Sequence, residues 1–158
     1  MKLVLVMLVL AFVGCGPSNQ EIKMAKMAHY KAPTTTLFDI AISVAERDYK
    51  IGEIDQGNAR FITASQIYSP EGGRQSAGAG GYVQMSDRSI MLSLLVEVLE
   101  SPEGQVIAVT PQTFQMISGS PKPRELTPDD PNVPGWVHGR VDALSVAIYE
   151  AAKQHVAK

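Results

Sequence analysis

The chain has 158 residues, with 14 basic and 16 acidic side chains and a formal net charge of -2 at pH 7. This length suits one domain with one modest core. The charges are mixed along the chain, which excludes the concentrated basic face that duplex nucleic acid requires, so we predict no nucleic-acid partner. The single cysteine, Cys15, excludes an intramolecular disulfide, so the core must hold the fold.

The first 14 residues have the order of charged and apolar residues that is typical of a secretory signal peptide. Lys2 supplies the positive start, and residues 3–13 form an uninterrupted apolar run that ends at Gly14 and Cys15. The run has 11 residues, whereas a helix needs roughly 20 to cross the hydrocarbon layer of a membrane. We therefore predict a cleavable signal over residues 1–14.

The tetrapeptide Phe12-Val13-Gly14-Cys15 resembles the lipobox of bacterial lipoproteins, with Phe12 where that family most often has leucine. The resemblance implies that Cys15 becomes the first mature residue and carries a diacylglyceryl thioether and an acyl chain on its amino group, such as palmitate. Several acyl chains make membrane attachment effectively permanent. The alternative is an ordinary signal peptide or a buried apolar strand, in which Cys15 carries no lipid.

In bacterial lipoproteins, the residue after the lipidated cysteine influences which membrane holds the protein. Gly16 stands there in place of the aspartate that favours inner-membrane retention in enterobacterial lipoproteins. The resemblance therefore implies a lipid-anchored protein of the cell envelope, at the periplasmic face of the outer membrane.

Residues 15–33 are predicted to be the lipidated cysteine and a flexible tether, because they lack a sustained apolar period and are bounded by prolines. Within them, residues 21–31 interleave three lysines with Ile22, Met24 and Met27. This part is also compatible with a short amphipathic turn on anionic lipid headgroups. A solvated tether is the simpler interpretation.

Two amphipathic helices are predicted, one from about Thr36 to Asp48 and one that closes the chain. The threonines at 34–36 offer N-cap hydroxyls to the first. Apolar residues recur at helical spacing in both segments: Leu37, Ile40, Ala41, Val44 and Ala45 in the first, and Val137, Val141, Leu144, Ile148 and Ala151 or Ala152 in the second. We expect Trp136 to seal the start of the closing helix and Arg140 to lie on its outer side.

Between the helices we predict four or five antiparallel strands. Residues 49–54 and 59–68 form a first hairpin around Gly57, and the turn Ser101-Pro102-Glu103-Gly104 joins strand 89–100 to strand 105–116. Strand 89–100 should be the most buried, because its alternate residues are all apolar: Ile90, Leu92, Leu94, Val96 and Val98.

Two segments are predicted to lie outside the sheet. Residues 69–81 hold five glycines and no large apolar side chain, which predicts a mobile loop, with a short strand following at 82–87. Residues 118–135 hold five prolines, which predict a long surface crossover.

The order of helix, strands and helix predicts a single α+β domain over residues 34–158. We expect two layers, an antiparallel meander sheet with both helices on one face, so that the other face is solvated or bound by a partner. This element order, with the strand, glycine turn and strand at 49–62, resembles the helix-grip domains of envelope lipoproteins such as the C subunit of the outer-membrane β-barrel assembly machinery. The likeness covers about residues 35–155 and carries no binding residues with it.

We predict no catalytic, cofactor or metal residue. His138 and Asp142, four apart on the closing helix, have no second histidine nearby in sequence, which favours solvated helix residues over a metal or catalytic pair. The acidic residues Asp129 and Asp130 lack the spacing of a calcium loop. Residues 78–81 precede no Gly-Lys-Ser/Thr, so they do not form a phosphate-binding loop, and no Gly-x-Ser-x-Gly elbow is present.

The sequence therefore favours a non-enzymatic envelope lipoprotein with a protein-contact or structural role, for example as an accessory of an outer-membrane assembly complex. Its expected partners are the membrane, through Cys15, and an envelope protein. The alternative is a periplasmic carrier of a small apolar ligand or lipid, in which sheet and helices enclose a pocket larger than a core needs. A periplasmic hydrolase would require His138, Asp142 and a third polar group to meet in a cleft.

Overall fold

The computed structural model describes residues 16–76, 81 and 85–157. These residues form three α-helices, one short 3-10 helix and a seven-stranded antiparallel sheet. The fold class is α+β, as predicted. The predicted signal peptide, residues 1–14, and Cys15 lie outside the described residues.

The helices and strands follow one another in a simple order along the chain. The helices are α1 (Asn19–Met27), α2 (Thr34–Ala45) and α3 (Gly135–Ala152), which continues into the 3-10 helix Lys153–His155. The strands are β1 (Ile51–Asp55), β2 (Arg60–Thr63), β3 (Gln66–Tyr68), β4 (Arg74–Gln75), β5 (Ile90–Ser101), β6 (Gly104–Gln115) and β7 (Arg124–Leu126). The two predicted helices are confirmed, although the N-cap of α2 is Pro33 and no threonine hydroxyl caps that helix.

β5 is the central strand of the sheet. β6 pairs with it along its whole length through the predicted 101–104 turn, and β7 extends the sheet beyond β6. On its other side β5 pairs first with β3 and then with β2, so the predicted strand 59–68 is two strands separated at residues 64–65. At that break the Leu94 backbone N–H donates instead to the Thr63 hydroxyl, at 2.9 Å. β1 and β4 are the outer neighbours of β2 and β3.

The core lies between one face of this sheet and the helices α2 and α3. The predicted buried face of β5 is confirmed, with Leu94 fully buried and its four companions almost so. The helices supply the facing layer of buried side chains: Leu37, Phe38, Ala41, Val44 and Ala45 from α2, and Val137, Val141, Leu144, Ile148, Tyr149 and Ala152 from α3. Phe38 packs on Phe61 of β2 with 6.0 Å between ring centroids.

The prediction of a flexible tether over residues 15–33 is wrong where α1 forms. Ser18 and Glu21 close a reciprocal capping box: the Ser18 backbone N–H donates to Glu21 Oε2 at 2.7 Å, and the Glu21 N–H donates to Ser18 Oγ at 3.3 Å. The helix packs against α3 through the small buried residues Ala25 and Ala28. The packed domain therefore includes the segment before residue 34.

Two loop predictions also need correction. Residues 69–81 are predicted not to pack, yet Arg74–Gln75 form β4 and Gly72 lies against the ring of Trp136. The proline-rich segment 118–135 is predicted to stay outside the sheet, yet Arg124–Leu126 pair with β6 as β7. The predicted strand 82–87 lies partly outside the described residues, and residues 85–87 are not in a strand.

The turn between β5 and β6 sits against the segment that follows α1. Gly104 has a φ of +134°, and a Cβ built on it would lie 2.7 Å from the carbonyl oxygen of Tyr30. The Tyr30 and Gln105 backbones exchange hydrogen bonds of 2.8 and 3.0 Å at this point. Glycine is therefore required here both for its backbone conformation and for the space it leaves.

We expect Gly104→Ala to destabilise the protein more than Gly119→Ala, the matched control. Gly119 also has a positive φ, of +79°, but a Cβ built on it would meet nothing within 4 Å. The control should lower the free energy of unfolding by about 1–2 kcal/mol, and Gly104→Ala by roughly twice as much or more, since its methyl group must also displace Tyr30. Urea denaturation measures both, and equal losses would contradict the close contact.

Candidate functional site

The face of the sheet opposite the helices is the first candidate surface. Side chains alternate along a strand, and residues directly opposite each other in an antiparallel pair share a face. The β5 residues between the buried ones therefore lie on this face together with their β6 partners, as in the pairs Met91–Phe114 and Leu99–Val106. We call it the outer face, and its apolar members are Ile62, Ile67, Met91, Leu95, Leu99, Val106, Ala108 and Phe114.

The outer face mixes apolar and polar side chains, because Ser93, Glu97 and Gln112 alternate with its apolar members along β5 and β6, and one margin, next to β1, is charged. Leu99 is 43% exposed, and the other apolar members are half-buried by their neighbours. Arg60 lies opposite Glu97 in the sheet register, and its Nε donates to Asp55 at 3.1 Å. A shallow cavity of about 230 Å³ opens beside these charges, between β2 and β6. Apolar side chains interspersed with charged and hydrogen-bonding ones are compatible with a protein interface.

Asp55 belongs to this charged margin as a fixed carboxylate. Hydrogen bonds from the Asn58 side chain and backbone, followed by the contact with Arg60, lower the pKa of Asp55 below its usual value. A carboxylate that stays charged and holds three donors is poorly suited to accept or donate a proton in a reaction. The charged groups of the margin are therefore held in place by one another.

A second candidate surface is a cleft of about 530 Å³ beside α1. We call it the α1 cleft. Its walls come from α1, from the segment after it and from the C-terminal end of the chain: Lys23, Met24, Met27, Ala28, His29, Lys31, Glu103, Tyr149, Val156 and Ala157. Met24 and Met27 are 39% and 64% exposed. The cleft thus combines exposed, flexible apolar side chains with basic ones.

Several contacts fix α1 and its cleft to the rest of the domain. The Lys26 ammonium lies 2.6 Å from Asp142 of α3, whose side chain is mostly buried. Tyr30 forms a β-bridge to Gln105 and another to Val156. Beside it the Lys31 N–H donates to the His155 carbonyl oxygen, and the Ala157 N–H to that of His29, both at 2.7 Å. The position of α1 relative to the domain is therefore set by polar contacts in its last turn and in the segment that follows it.

The structure does not bring together in one site the residues that the sequence analysis considered for catalysis or metal binding. Asp142 pairs with Lys26, while His138 is exposed on α3. Asp130 accepts hydrogen bonds from the Asn132 backbone and side chain, which lower its pKa, and it also pairs with Arg124. Over residues 16–76, 81 and 85–157, no three His, Cys, Asp or Glu side chains lie close enough to share a metal ion. Residues 78–80 lie outside the described residues.

One cluster was not foreseen from the sequence. Arg140 does not lie on the solvent side of α3, since its guanidinium carbon is 4.5 Å from the ring centroid of Tyr68 and 5.6 Å from that of Trp136. The Trp136 indole N–H donates to the Pro70 carbonyl oxygen at 2.9 Å, and Arg140 donates to that of Gly72 at 3.4 Å. The cluster fastens residues 70–72 to α3, which is a structural role.

Within the part of the chain that the structure describes, no helix has both the length and the apolar composition needed to cross a membrane. No protein-family model and no curated protein matches the chain. The functional inference therefore rests on the two surfaces and on the N-terminal sequence.

Tyr30, which lies beside the α1 cleft, gives a pH-dependent test of the docked segment. Burial, and to a smaller extent the neighbouring Tyr149, raises the pKa of Tyr30 to about 12, from about 10 in an unfolded chain. The folded protein thus retains a proton that the unfolded chain releases, so this contribution to stability is complete below about pH 10 and is lost as the pH rises towards 12.

We expect the free energy of unfolding of the wild type to fall more steeply between pH 10 and pH 12 than that of Tyr30→Phe, which has no phenol to ionise. Urea denaturation at a series of pH values measures the difference, and tyrosinate absorbance follows the ionisation directly. Equal slopes for the two proteins would contradict the burial of Tyr30.

Proposed function

We propose that this protein is a lipid-anchored lipoprotein of the bacterial envelope that acts by contact with another protein, and that the outer face of its sheet makes the contact. The anchor in this proposal is Cys15, on the strength of the signal-like residues 1–14 and the lipobox-like sequence Phe12-Val13-Gly14-Cys15. The observation that carries the contact role is the set of exposed and half-buried apolar side chains on the outer face, on which none of the helices in the described residues is packed.

The composition of the outer face supports a bound state. An antiparallel sheet that faces water on one side usually alternates apolar residues towards the core with polar residues towards solvent. In β5 the outer positions include Met91, Leu95 and Leu99, and β6 adds Val106 and Phe114 beside them. The outer face thus has more apolar side chains than a sheet face in contact with water usually has. A partner with a complementary apolar patch would remove these side chains from water.

The interior of the domain supports contact over transport of a small ligand. Leu37 of α2, Leu94 of β5 and Val137 of α3 are completely buried, so the helices pack directly onto the sheet. A ligand placed between the layers would have to displace these side chains, and a packed core tolerates such insertion poorly. The carrier alternative therefore has less support than a surface role.

The proposed location is the periplasmic face of the outer membrane. It rests on Gly16 after the cysteine and on the resemblance of the element order to the helix-grip domains of envelope lipoproteins. An accessory role in an outer-membrane assembly complex belongs to the same proposal. It requires no enzymatic activity and no cofactor.

The anchor is tested by expressing the wild type and Cys15→Ser in a Gram-negative host. For the wild type we expect the intact mass of a chain that begins at residue 15 and carries acyl chains, with retention in the detergent phase. The serine variant should lose both, because only the thiol can form the thioether. A wild type with an unmodified Cys15 would refute the anchor.

The contact is tested by placing a photo-crosslinking amino acid at Leu99 in living cells, with Ala147 on the exposed side of α3 as the control site. We expect a discrete envelope protein to be crosslinked from position 99 and not from 147. Adding Leu95→Arg should reduce the yield by about tenfold or more, since an unpaired charge buried in an interface is costly. Equal crosslinking yields from positions 99 and 147 would contradict the proposal for the outer face.

A further inference from the structure

The exposed side of α1 has the composition of a surface that contacts lipid. Met24 and Met27 lie on it with Lys23 close by, while Ala25 on the opposite side is buried. Methionine is flexible and adapts to irregular apolar surroundings. Apolar residues flanked by lysines on one side of a helix are typical of segments that lie in the plane of a membrane interface.

The charges around the α1 cleft complement an anionic surface. Lys23 and Lys31 line the cleft, and neither forms an ion pair with another described residue. Glu103 is the acidic side chain of the lining, and it faces His29 at 3.6 Å. Two lysines are thus left to attract a phosphate-bearing headgroup.

The position of α1 in the chain brings this surface to the membrane. Only Gly16 and Pro17 separate Cys15 from Ser18, the N-cap of α1. Three Cα–Cα steps span at most about 10 Å, so an anchor on Cys15 would keep the start of α1 at the level of the headgroups. Because the Lys26–Asp142 pair and the Tyr30 bridges fix α1 to the domain, its placement orients the whole domain.

From these three observations we infer that the α1 cleft rests on the bilayer and seats anionic phospholipid headgroups between Lys23 and Lys31, with Met24 and Met27 inserted among them. This inference rests on the proposed anchor at Cys15 and goes beyond it, since an anchor alone sets no orientation. α1 packs against α3, on the helical side of the sheet. The outer face is therefore left free for the partner.

The test uses the full chain, lipidated and reconstituted in vesicles. Because the thioether consumes Cys15, Met27→Cys provides a single free thiol for a nitroxide spin label, and Gln112→Cys, exposed on the outer face, provides the matched control. Power saturation compares access of oxygen, which enters the bilayer, with access of a water-soluble nickel complex. The vesicles are phosphatidylcholine with or without phosphatidylglycerol.

We expect the label at position 27 to be immersed on vesicles that contain phosphatidylglycerol and the label at 112 to remain in water. Lys23→Gln with Lys31→Gln should reduce the ratio of immersed to free label about fivefold for each lysine. Lys50→Gln with Lys122→Gln, two exposed lysines elsewhere that remove the same charge, should leave the ratio unchanged.

The outcomes separate the two proposals. If intact mass confirms the acyl chains but position 27 stays as accessible to nickel as position 112, the anchor stands and the bilayer contact is overturned. The headgroup site is overturned if the label at position 27 is immersed equally on vesicles with and without phosphatidylglycerol and if the two lysine substitutions do not change its immersion. If the intact mass shows no acyl chains, the proposed anchor is refuted. The proposed orientation, which depends on the anchor, is then refuted as well.

Discussion

The alternation of side chains along β5 is the constraint on which the rest of the structure depends. Every second residue of this strand, from Ile90 to Val98, is apolar and faces α2 and α3. Its backbone pairs with three other strands, so the sheet is assembled around it. A shift in register by one residue would turn the core residues to the outer face, which is why the long hairpin with β6 and its tight turn matter.

The same alternation separates the residues of the core from those of the proposed contact surface. Residues on the helical side of β5 contribute through burial, at roughly 25 cal/mol for each Å² of apolar surface removed from water. Residues between them, such as Leu95 and Leu99, are held in place by that core but remain accessible. The outer face can therefore change composition without disturbing the packing beneath it, and a binding surface on one side of a sheet has this freedom.

Sequence patterns reveal those parts of the fold that are stabilised by long apolar runs. β5, α2 and α3 have apolar residues at strand or helix spacing, and β6 follows the predicted turn at 101–104; all four were predicted within a few residues of their bounds. α1 was missed because the residues that it buries, Ala25 and Ala28, are small and do not form a recognisable apolar stripe. The Ser18–Glu21 capping pair could have indicated the start of the helix. β4 and β7 have two and three residues, too few for any period.

The outer face could be predicted from the sequence, whereas the α1 cleft and the Arg140 cluster could not. The two-layer order implies an uncovered sheet face, so the outer face follows from local patterns. The α1 cleft and the Arg140 cluster depend on residues far apart in sequence, such as Trp136 and Pro70. No local period encodes such pairs. Asp142 was predicted to be a solvated helix residue, yet its side chain is mostly buried and pairs with Lys26, which is remote in sequence.

The two β-bridges of Tyr30 have a practical consequence for how the molecule can be handled. They place the backbone just after α1 beside Val156, two residues before the last residue of the chain. A reporter or affinity tag joined directly after Ala157 would thus begin next to the end of α1 and compete for space with whatever α1 touches. The turn at residues 119–122, exposed and outside the sheet, is a better place to insert a foreign sequence.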